Sequence, residues 1–254
     1  MRRLLRSLAR RFLAVRRTPT YYLPWLSRPG LDCALIIANV ESRFRPGFSD
    51  GPFPVDVVQY DADGATVRRY EVVLGDCTDV VELALQPTPA GCGIVVVRGE
   101  RLRSDLYVTL ANGESYTATH GRGEFVEEYP AAARAALTVL GGALALAGAT
   151  VAAFARDQYV YADVESRSHV LLMNLSNVTN RIRVAVRAEG RTLGARLIAV
   201  PPMGARLFDV GAIGGGGHDG VRRVRLTGNA WFNLYLVGAG PRDLEGPLSL
   251  MHVK

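Results

Sequence analysis

The chain is poor in the residues that build metal centres and nucleophilic sites. It has three cysteines (Cys33, Cys77 and Cys92) and four histidines among 254 residues. No Cys-x-x-Cys pair occurs, which argues against a structural zinc site. No cysteine stands with a histidine at a spacing typical of nucleophilic catalysis. We therefore expect no cofactor, and we expect reduced thiols in a cytoplasmic protein.

Positive charge is concentrated at one end of the chain. The formal net charge is +6 at pH 7, and residues 1–17 hold seven arginines and no acid, so the remainder is nearly neutral. A basic tail on a neutral chain differs from the basic folded surface that grips nucleic acid. We do not expect specific nucleic-acid binding.

The first 17 residues predict a basic amphipathic helix. At about 100° per residue, the apolar side chains fall within one arc and most arginines lie on the opposite side. Such a helix binds an anionic membrane surface or an acidic partner, or it packs on its own domain with its arginines solvated. The side chains that would make this contact are Leu5, Leu8, Phe12, Arg6 and Arg10.

A β-rich block follows an aromatic, proline-containing connector. Turn clusters rich in Gly, Pro, Asp and Asn separate short apolar runs, a pattern typical of a sandwich with about seven strands. The expected strands cover residues 33–38, 55–60, 67–74, 80–85, 94–97, 106–110 and 116–119.

The C-terminal half repeats the landmarks of this block in the same order. Each landmark is a residue type at the same place relative to the predicted strands, which indicates an internal duplication. We predict an all-β chain built as a tandem duplicated antiparallel β-sandwich. The matching pairs are Asn39 with Asn174, Gly64 with Gly190, Tyr107 with Tyr235 and His120 with His252.

Between the two halves, residues 136–155 carry no charge and are long enough to cross a bilayer. Their alanine and glycine content makes membrane insertion weak. We expect instead a buried linker helix, or part helix and part strand. The predicted divisions are a leader and connector (1–30), a first sandwich (31–128), an Ala-rich linker (129–158) and a second sandwich (159–254).

Residues 169–210 contain, in order, an apolar strand, Asn174-Leu-Ser, an alternating Val/Ile strand, a charged-Gly turn, Val200-Pro-Pro and an arginine-bearing strand. In this order of motifs the segment resembles sensory-rhodopsin-transducer-like proteins. Those proteins are small cytosolic β-sandwiches that assemble as homo-oligomers and act by binding. The resemblance implies a binding fold and a homo-oligomer.

Two sets of residues are candidates for chemistry. His120 and His252 end the last predicted strand of each half, and Glu124 follows the first, so the three could hold one divalent metal. The alternative is that each histidine hydrogen-bonds locally at a strand end.

The second set is Arg222, Arg223, Trp231 and Tyr235, which could bind an anionic or ring-shaped ligand. The alternative for the two aromatic residues is core packing.

We expect a non-catalytic interaction or scaffold protein that binds a protein partner or a second copy of itself. The alternatives are a metal-dependent enzyme or a ligand-binding protein, with the site at the interface of the repeats near His120 and His252. The expected location is the cytoplasm. The basic leader is compatible with peripheral binding to the inner face of the membrane.

Overall fold

A computed structural model gives the fold. It describes residues 15–16, 20–38, 44, 51–75, 79–99, 102, 106–124, 127–162, 166–215, 220–240, 244 and 246–253. The predicted leader residues Leu5, Leu8, Phe12, Arg6 and Arg10 lie outside these ranges. At the end of the predicted helix, residues 15–16 form a strand rather than a helical turn.

Strands dominate the structure, so the all-β class is confirmed. In chain order they are β1 (Val15–Arg16), β2 (Thr20–Leu26), β3 (Asp32–Ala38), β4 (Phe53–Asp61), β5 (Thr66–Leu74), β6 (Val80–Ala84), β7 (Cys92–Arg98), β8 (Leu106–Ala111), β9 (Tyr116–His120), β10 (Arg122–Glu124), β11 (Glu127–Glu128), β12 (Phe154–Ala162), β13 (Arg167–Asn174), β14 (Asn180–Ala188), β15 (Arg191–Val200), β16 (Ala205–Asp209), β17 (Gly220–Gly228), β18 (Phe232–Ala239) and β19 (Ser249–His252). The helices are α1 (Ala131–Leu146) and α2 (Val210–Gly214).

The strand order of the first half recurs in the second half. The first half has sheets β10-β2-β7-β4-β5 and β6-β3-β8-β9, and the second half has β12-β17-β14-β15 and β16-β13-β18-β19. Apart from β10, each strand of one half therefore has a counterpart ten strands later with the same neighbours. A further short ladder joins β1 to β11.

The two halves also agree in local detail. The β4–β5 hairpin shifts register between Gln59 and Tyr60, and the β14–β15 hairpin shifts between Val186 and Arg187. A register shift of this kind accommodates one extra residue and increases the local twist. Both shifts lie next to the hairpin turn, so the two halves share an irregular feature as well as a strand order.

All seven strands expected in the first half are present, and each half contains one strand that was expected to be a connector. Pro24 disfavours a strand because proline cannot donate to the ladder. However, β10 pairs only with Thr20, Tyr21 and Tyr22 of β2. Pro24 lies beyond this ladder, and among the described strands its one neighbour is β7. In the second half, β12 begins at Phe154, inside the uncharged run 136–155 that was expected to belong to the linker.

The sheet β16-β13-β18-β19 belongs to both hydrophobic clusters of the molecule. Successive side chains of a strand point to opposite faces, and here both faces are buried. One face joins the cluster of the first half and the other joins the cluster formed with β14 and β17. The first set includes Leu171, Met173, Tyr235 and Val237, and the second includes Val170, Leu172, Leu234 and Leu236.

Hairpin turns of the first half complete the joint with the second half. Asp63 lies in the β4–β5 turn, and its Oδ1 is 2.7 Å from Nη2 of Arg206. The same guanidinium donates through Nη1 to the carbonyl of Ala62 at 2.6 Å. At the β8–β9 turn, Asn112 Nδ2 donates to the carbonyl of Gly246 at 2.8 Å. Polar turns thus surround the shared apolar core.

Helix α1 lies on the surface, contrary to the expectation of a buried linker. Of its residues only Ala133 and Gly141 are buried. A Cβ at Gly141 would lie 3.2 Å from Nη1 of Arg181, so the absence of a side chain lets the helix lie close to β14. Among the described residues, no helix is both long and apolar enough to span a bilayer.

Candidate docking surfaces

The outer face of the sheet β12-β17-β14-β15 is rich in arginine. In antiparallel strands, residues that pair across the ladder place their side chains on the same face. Arg223 of β17 pairs with Tyr159 of β12 and with Arg187 of β14. Two residues further along β17, Arg225 pairs with Asp157 of β12. We call the set Arg183, Arg187, Arg223, Arg225, Tyr159, Tyr161 and Asp157 the arginine face.

This face is exposed and carries a net positive charge. Arg183, Arg187 and Arg225 are exposed, and Arg223 is half-buried. Asp157 is the one acid that the described strands place on it, and its carboxylate lies 2.9 Å from Nε of Arg223. That hydrogen bond and the positive charges around it hold the pKa of Asp157 below its usual value. One carboxylate does not neutralise four guanidinium groups.

The matching positions in the first half are occupied differently. By ladder register, Arg223 corresponds to Ile94 and Arg225 corresponds to Val96. Both first-half residues are fully buried. The shared strand order therefore does not require arginine here, and the charged face distinguishes the second half.

A cleft of about 390 Å³ adjoins the arginine face. Tyr159 and Tyr161 contribute to both surfaces, and their exposed fractions are 60% and 58%. Arg167, Pro247 and Met251 also line the cleft. Exposed tyrosines beside a concave apolar surface are suited to hold a side chain of a partner.

The four residues predicted to bind a ligand do not share one surface. Arg223 lies on the arginine face, whereas Arg222 points to the opposite side of β17 and is buried. Trp231 is half-buried, with the Arg156 guanidinium 4.8 Å from its ring centroid. Tyr235 is fully buried in the core, so a ligand could reach its ring only if the core opened.

The two predicted histidines occupy matching positions in the two halves. His120 pairs with Tyr107 across β8–β9, and His252 pairs with Tyr235 across β18–β19. The ring centroids are 5.5 Å apart in the first pair and 4.9 Å apart in the second. Each histidine therefore has an aromatic neighbour of its own.

Strand β9 turns His120 away from β19. Thr117 Oγ1 accepts a hydrogen bond from the Leu250 backbone N–H at 3.2 Å, so odd-numbered side chains of β9 face β19. His120 is even-numbered and exposed. Glu124 belongs to β10, which pairs with β2. In the described ranges no group of three His, Cys, Asp or Glu side chains could hold a metal ion. A metal bound by His120, His252 and Glu124 stays a prediction.

The stretch around Asn174 carries a structural network. The Asn174 amide is fully buried and donates to the carbonyls of Val178, Val200 and Pro201 at 2.7, 3.0 and 2.9 Å. Its Oδ1 accepts a hydrogen bond from the Ser176 hydroxyl at 2.7 Å. These bonds hold two loops together at one end of the second sandwich.

In comparisons with protein-family models, curated proteins and solved structures, nothing matched the chain. The geometry described above is therefore the basis for a functional proposal.

Sequence reasoning missed most of the arginine face. Arg183 and Arg187 lie in a strand whose alternation of charged and apolar residues is visible in residues 180–188. Two arginines four residues apart on one strand share a face. What the alternation does not show is that β14 lies next to β17, and this neighbourhood brings the four arginines together.

Proposed function

We propose that the chain is a non-catalytic interaction or scaffold protein made of two duplicated β-sandwich repeats. Support for the duplication comes from eight strands in each half with the same neighbours and from the matched register shifts. The resemblance of residues 169–210 to proteins that act by binding supports the same function.

The partner in this proposal is a protein with an acidic surface, and it binds the arginine face. The observation that carries the proposal is the placement of four arginines on one exposed sheet face beside one aspartate. Guanidinium groups bind carboxylates with two parallel hydrogen bonds, and a rigid sheet holds such groups at fixed spacing. The adjoining cleft supplies an anchor site for one apolar or aromatic side chain of the partner.

The fold does not require arginine at these positions, which also supports a docking function for the arginines. Ile94 and Val96 occupy two of the matching positions in the first repeat and are buried there. If the repeat architecture alone dictated residue type, both copies would carry similar side chains at these positions. A second copy of this chain is the alternative partner, as the family resemblance implies, and the native mass of the protein tests it.

A charge-reversal pair tests the proposal. The double variant Arg183→Glu, Arg187→Glu changes the arginine face, and Arg68→Glu, Arg69→Glu changes the net charge equally on exposed residues of β5. The probe is a fluorescent poly-glutamate peptide, and anisotropy gives its Kd. We expect the first variant to bind at least about tenfold more weakly and the control to bind like the parent chain.

Equal losses in the two variants would show that net charge, and not this face, attracts the probe. Tighter binding of the parent chain to a mixed-sequence DNA duplex than to poly-glutamate would also contradict the proposal. The first result removes the arginine face as the binding site, and the second removes an acidic protein as the partner.

A further inference from the structure

Strand β12 has an open edge between the arginine face and the cleft. Its sheet has the order β12-β17-β14-β15, so β17 is its one neighbour among the strands that the structure describes. The side chains of Asp157, Tyr159 and Tyr161 are exposed on the arginine face. Val160 points to the other side of the strand, where it is buried and lines the cleft. Backbone groups on the open edge of a strand can pair with a further strand.

The counterpart of β12 in the first half has such a further strand. Strand β2 pairs on one side with β7, as β12 pairs with β17, and it pairs on its other side with β10. The β10 ladder is antiparallel and joins Arg122–Glu124 to residues 20–22. In the described part of the second half no strand corresponds to β10. The first half therefore shows how an additional strand can occupy this edge.

The floor of the cleft lacks a side chain that the first half has. Gly238 of β18 pairs with Ser168 of β13 and with Ser249 of β19, and all three residues line the cleft. By ladder register Gly238 corresponds to Leu110, which is fully buried. Three small residues thus leave room for one aliphatic side chain that the second half does not itself supply.

We infer that an extended segment of the partner adds to the open edge of β12 as an antiparallel strand, with acidic and aliphatic residues in alternation. The inference rests on the acidic partner proposed above and states the form in which that partner binds. Residues that pair across a ladder place their side chains on the same face. A partner residue opposite Val160 therefore points into the cleft. Its two neighbours in the segment, opposite Tyr159 and Tyr161, point to the arginine face.

Charge and distance fit this arrangement. Neighbouring strands lie about 4.8 Å apart, so an added strand would lie about 10 Å from β17. The long side chains of Arg223 and Arg225 and the carboxylates of the added strand extend toward each other over this distance. The phenol groups of Tyr159 and Tyr161 lie between them and can donate hydrogen bonds to carboxylates. Aliphatic side chains on the inner side leave water when they enter the cleft. A uniformly acidic segment would match the arginine face alone.

Two fluorescent peptides of equal composition test the inference on the full chain. Glu-Leu-Glu-Leu-Glu-Leu-Glu alternates, and Glu-Glu-Leu-Leu-Leu-Glu-Glu carries the same charge without alternation. Anisotropy gives each Kd. We expect the alternating peptide to bind at least about tenfold more tightly, because as a strand it places every carboxylate on one side and every leucine on the other.

Filling the cleft gives a second measurement. Gly238→Leu supplies the side chain that Leu110 has in the first half. Gly142→Leu is the matched control on α1, where no described heavy atom lies within 4 Å of a Cβ. We expect Gly238→Leu to abolish the preference for the alternating peptide and to leave poly-glutamate binding unchanged, which also shows that the variant is folded. We expect Gly142→Leu to change neither.

Methylation of backbone nitrogens in the alternating peptide tests the ladder with the parent chain. In an added strand, alternate backbone N–H groups face β12 and the others face away. We expect methylation of one alternate set to weaken binding about tenfold and methylation of the other set to leave it unchanged.

The outcomes separate this inference from the proposed function. Equal Kd values for the two isomeric peptides would overturn the inference and leave the acidic partner standing, because both peptides carry the same charge. Equal effects of the two methylation patterns would also overturn it, because the peptide backbone would then not pair with β12. If the parent chain binds neither these peptides nor poly-glutamate, the proposed function fails and the inference fails with it.

Discussion

Buried amide side chains hold the loops of the second half of the chain. Asn180 is fully buried, its Nδ2 donates to the Ala230 carbonyl at 2.7 Å and its Oδ1 accepts from the Asn229 and Ala230 backbone N–H groups. Asn174 joins three carbonyls in the same way. An asparagine can both donate and accept, so one side chain replaces the ladder partners that loops lack.

Removing the Asn174 amide will destabilise the protein. In Asn174→Ala, three buried carbonyls lose a donor, and we expect a loss of about 3 kcal/mol in the free energy of unfolding. Asn177→Ala is the control in the same loop, because among the described residues its half-buried side chain bonds to Tyr129 alone. We expect a loss of about 1 kcal/mol there. Urea unfolding measures both losses. Equal losses would show that the Asn174 network contributes no more to the free energy of unfolding than the Asn177 bonds.

The described cysteines will be unreactive in the folded protein. Burial raises the pKa of Cys33 to about 12, and burial likewise raises the pKa of Cys92. Thiol reagents attack the thiolate, which is scarce at pH 8 when the pKa is raised. We expect site-resolved mass spectrometry to find little alkylation of either residue until urea unfolds the chain. Rapid alkylation of Cys92 under native conditions would contradict its buried position.

These pKa directions also determine how alkali affects stability. A thiol with a raised folded pKa keeps its proton while the unfolded thiol, at about 8.5, loses it. The two cysteines thus favour the unfolded state as the pH rises above about 8.5, and they contribute nothing to a pH dependence below about 8.

At the scale of elements, two matched hairpins have different surroundings. Gly64 and Gly190 occupy the turns of β4–β5 and β14–β15, with φ of 81° and 76°. A Cβ at Gly64 would collide with the backbone oxygen of Pro202, whereas no described heavy atom lies within 4 Å of a Cβ at Gly190. The first hairpin is part of the joint between the two halves, and the second faces open space.

Alanine at these two positions will separate backbone strain from collision. Both substitutions put a Cβ on a residue with positive φ, which costs about 1 kcal/mol. Only Gly64→Ala adds a collision across the joint, so we expect it to lower the free energy of unfolding by about 2 kcal/mol more than Gly190→Ala. Thermal or urea unfolding gives the difference. Equal effects would mean that the turn does not contact Pro202 closely.

At the scale of the whole molecule, the two halves of the chain share one core. Alternate residues of β13 and β18 join the cluster of the first half, so the second half cannot separate without exposing Leu171, Met173 and Val237. Exposure of such a surface costs about 25 cal/mol per Å² of apolar area. We therefore expect the two halves to unfold together.

Variants with a single tryptophan will report on each half of the chain separately. Trp25 is buried in the first half and Trp231 is half-buried in the second half. In Trp25→Phe and in Trp231→Phe, we expect the fluorescence of the remaining tryptophan and the ellipticity to change at the same urea midpoint. Two different midpoints within either variant would show that the halves unfold independently.

Sequence patterns predicted a large part of the fold because strand formation depends on neighbours along the chain. Alternation and turn residues located seven strands of the first half, and the positions of Tyr107, Tyr235, His120 and His252 placed the last hairpin of each half in matching register. Two strands, β2 and β12, were not predicted. Local propensity disfavours a strand at Pro24 of β2, and it favours a helix in the uncharged run before Phe154 of β12.

The surfaces depended on contacts between residues far apart in the sequence. The alternation of β17 and β14 indicates that each strand has a charged side, but only the order of strands in the sheet brings Arg187 next to Arg223. Likewise, the composition of α1 permits burial, and only the tertiary structure shows that Val139 is exposed. The amino-acid sequence by itself thus determined strands, turns and the matching of the two halves, because these follow from local propensity and periodicity. The tertiary structure alone decided which faces meet each other and which meet the solvent, because that choice depends on pairings across the whole chain.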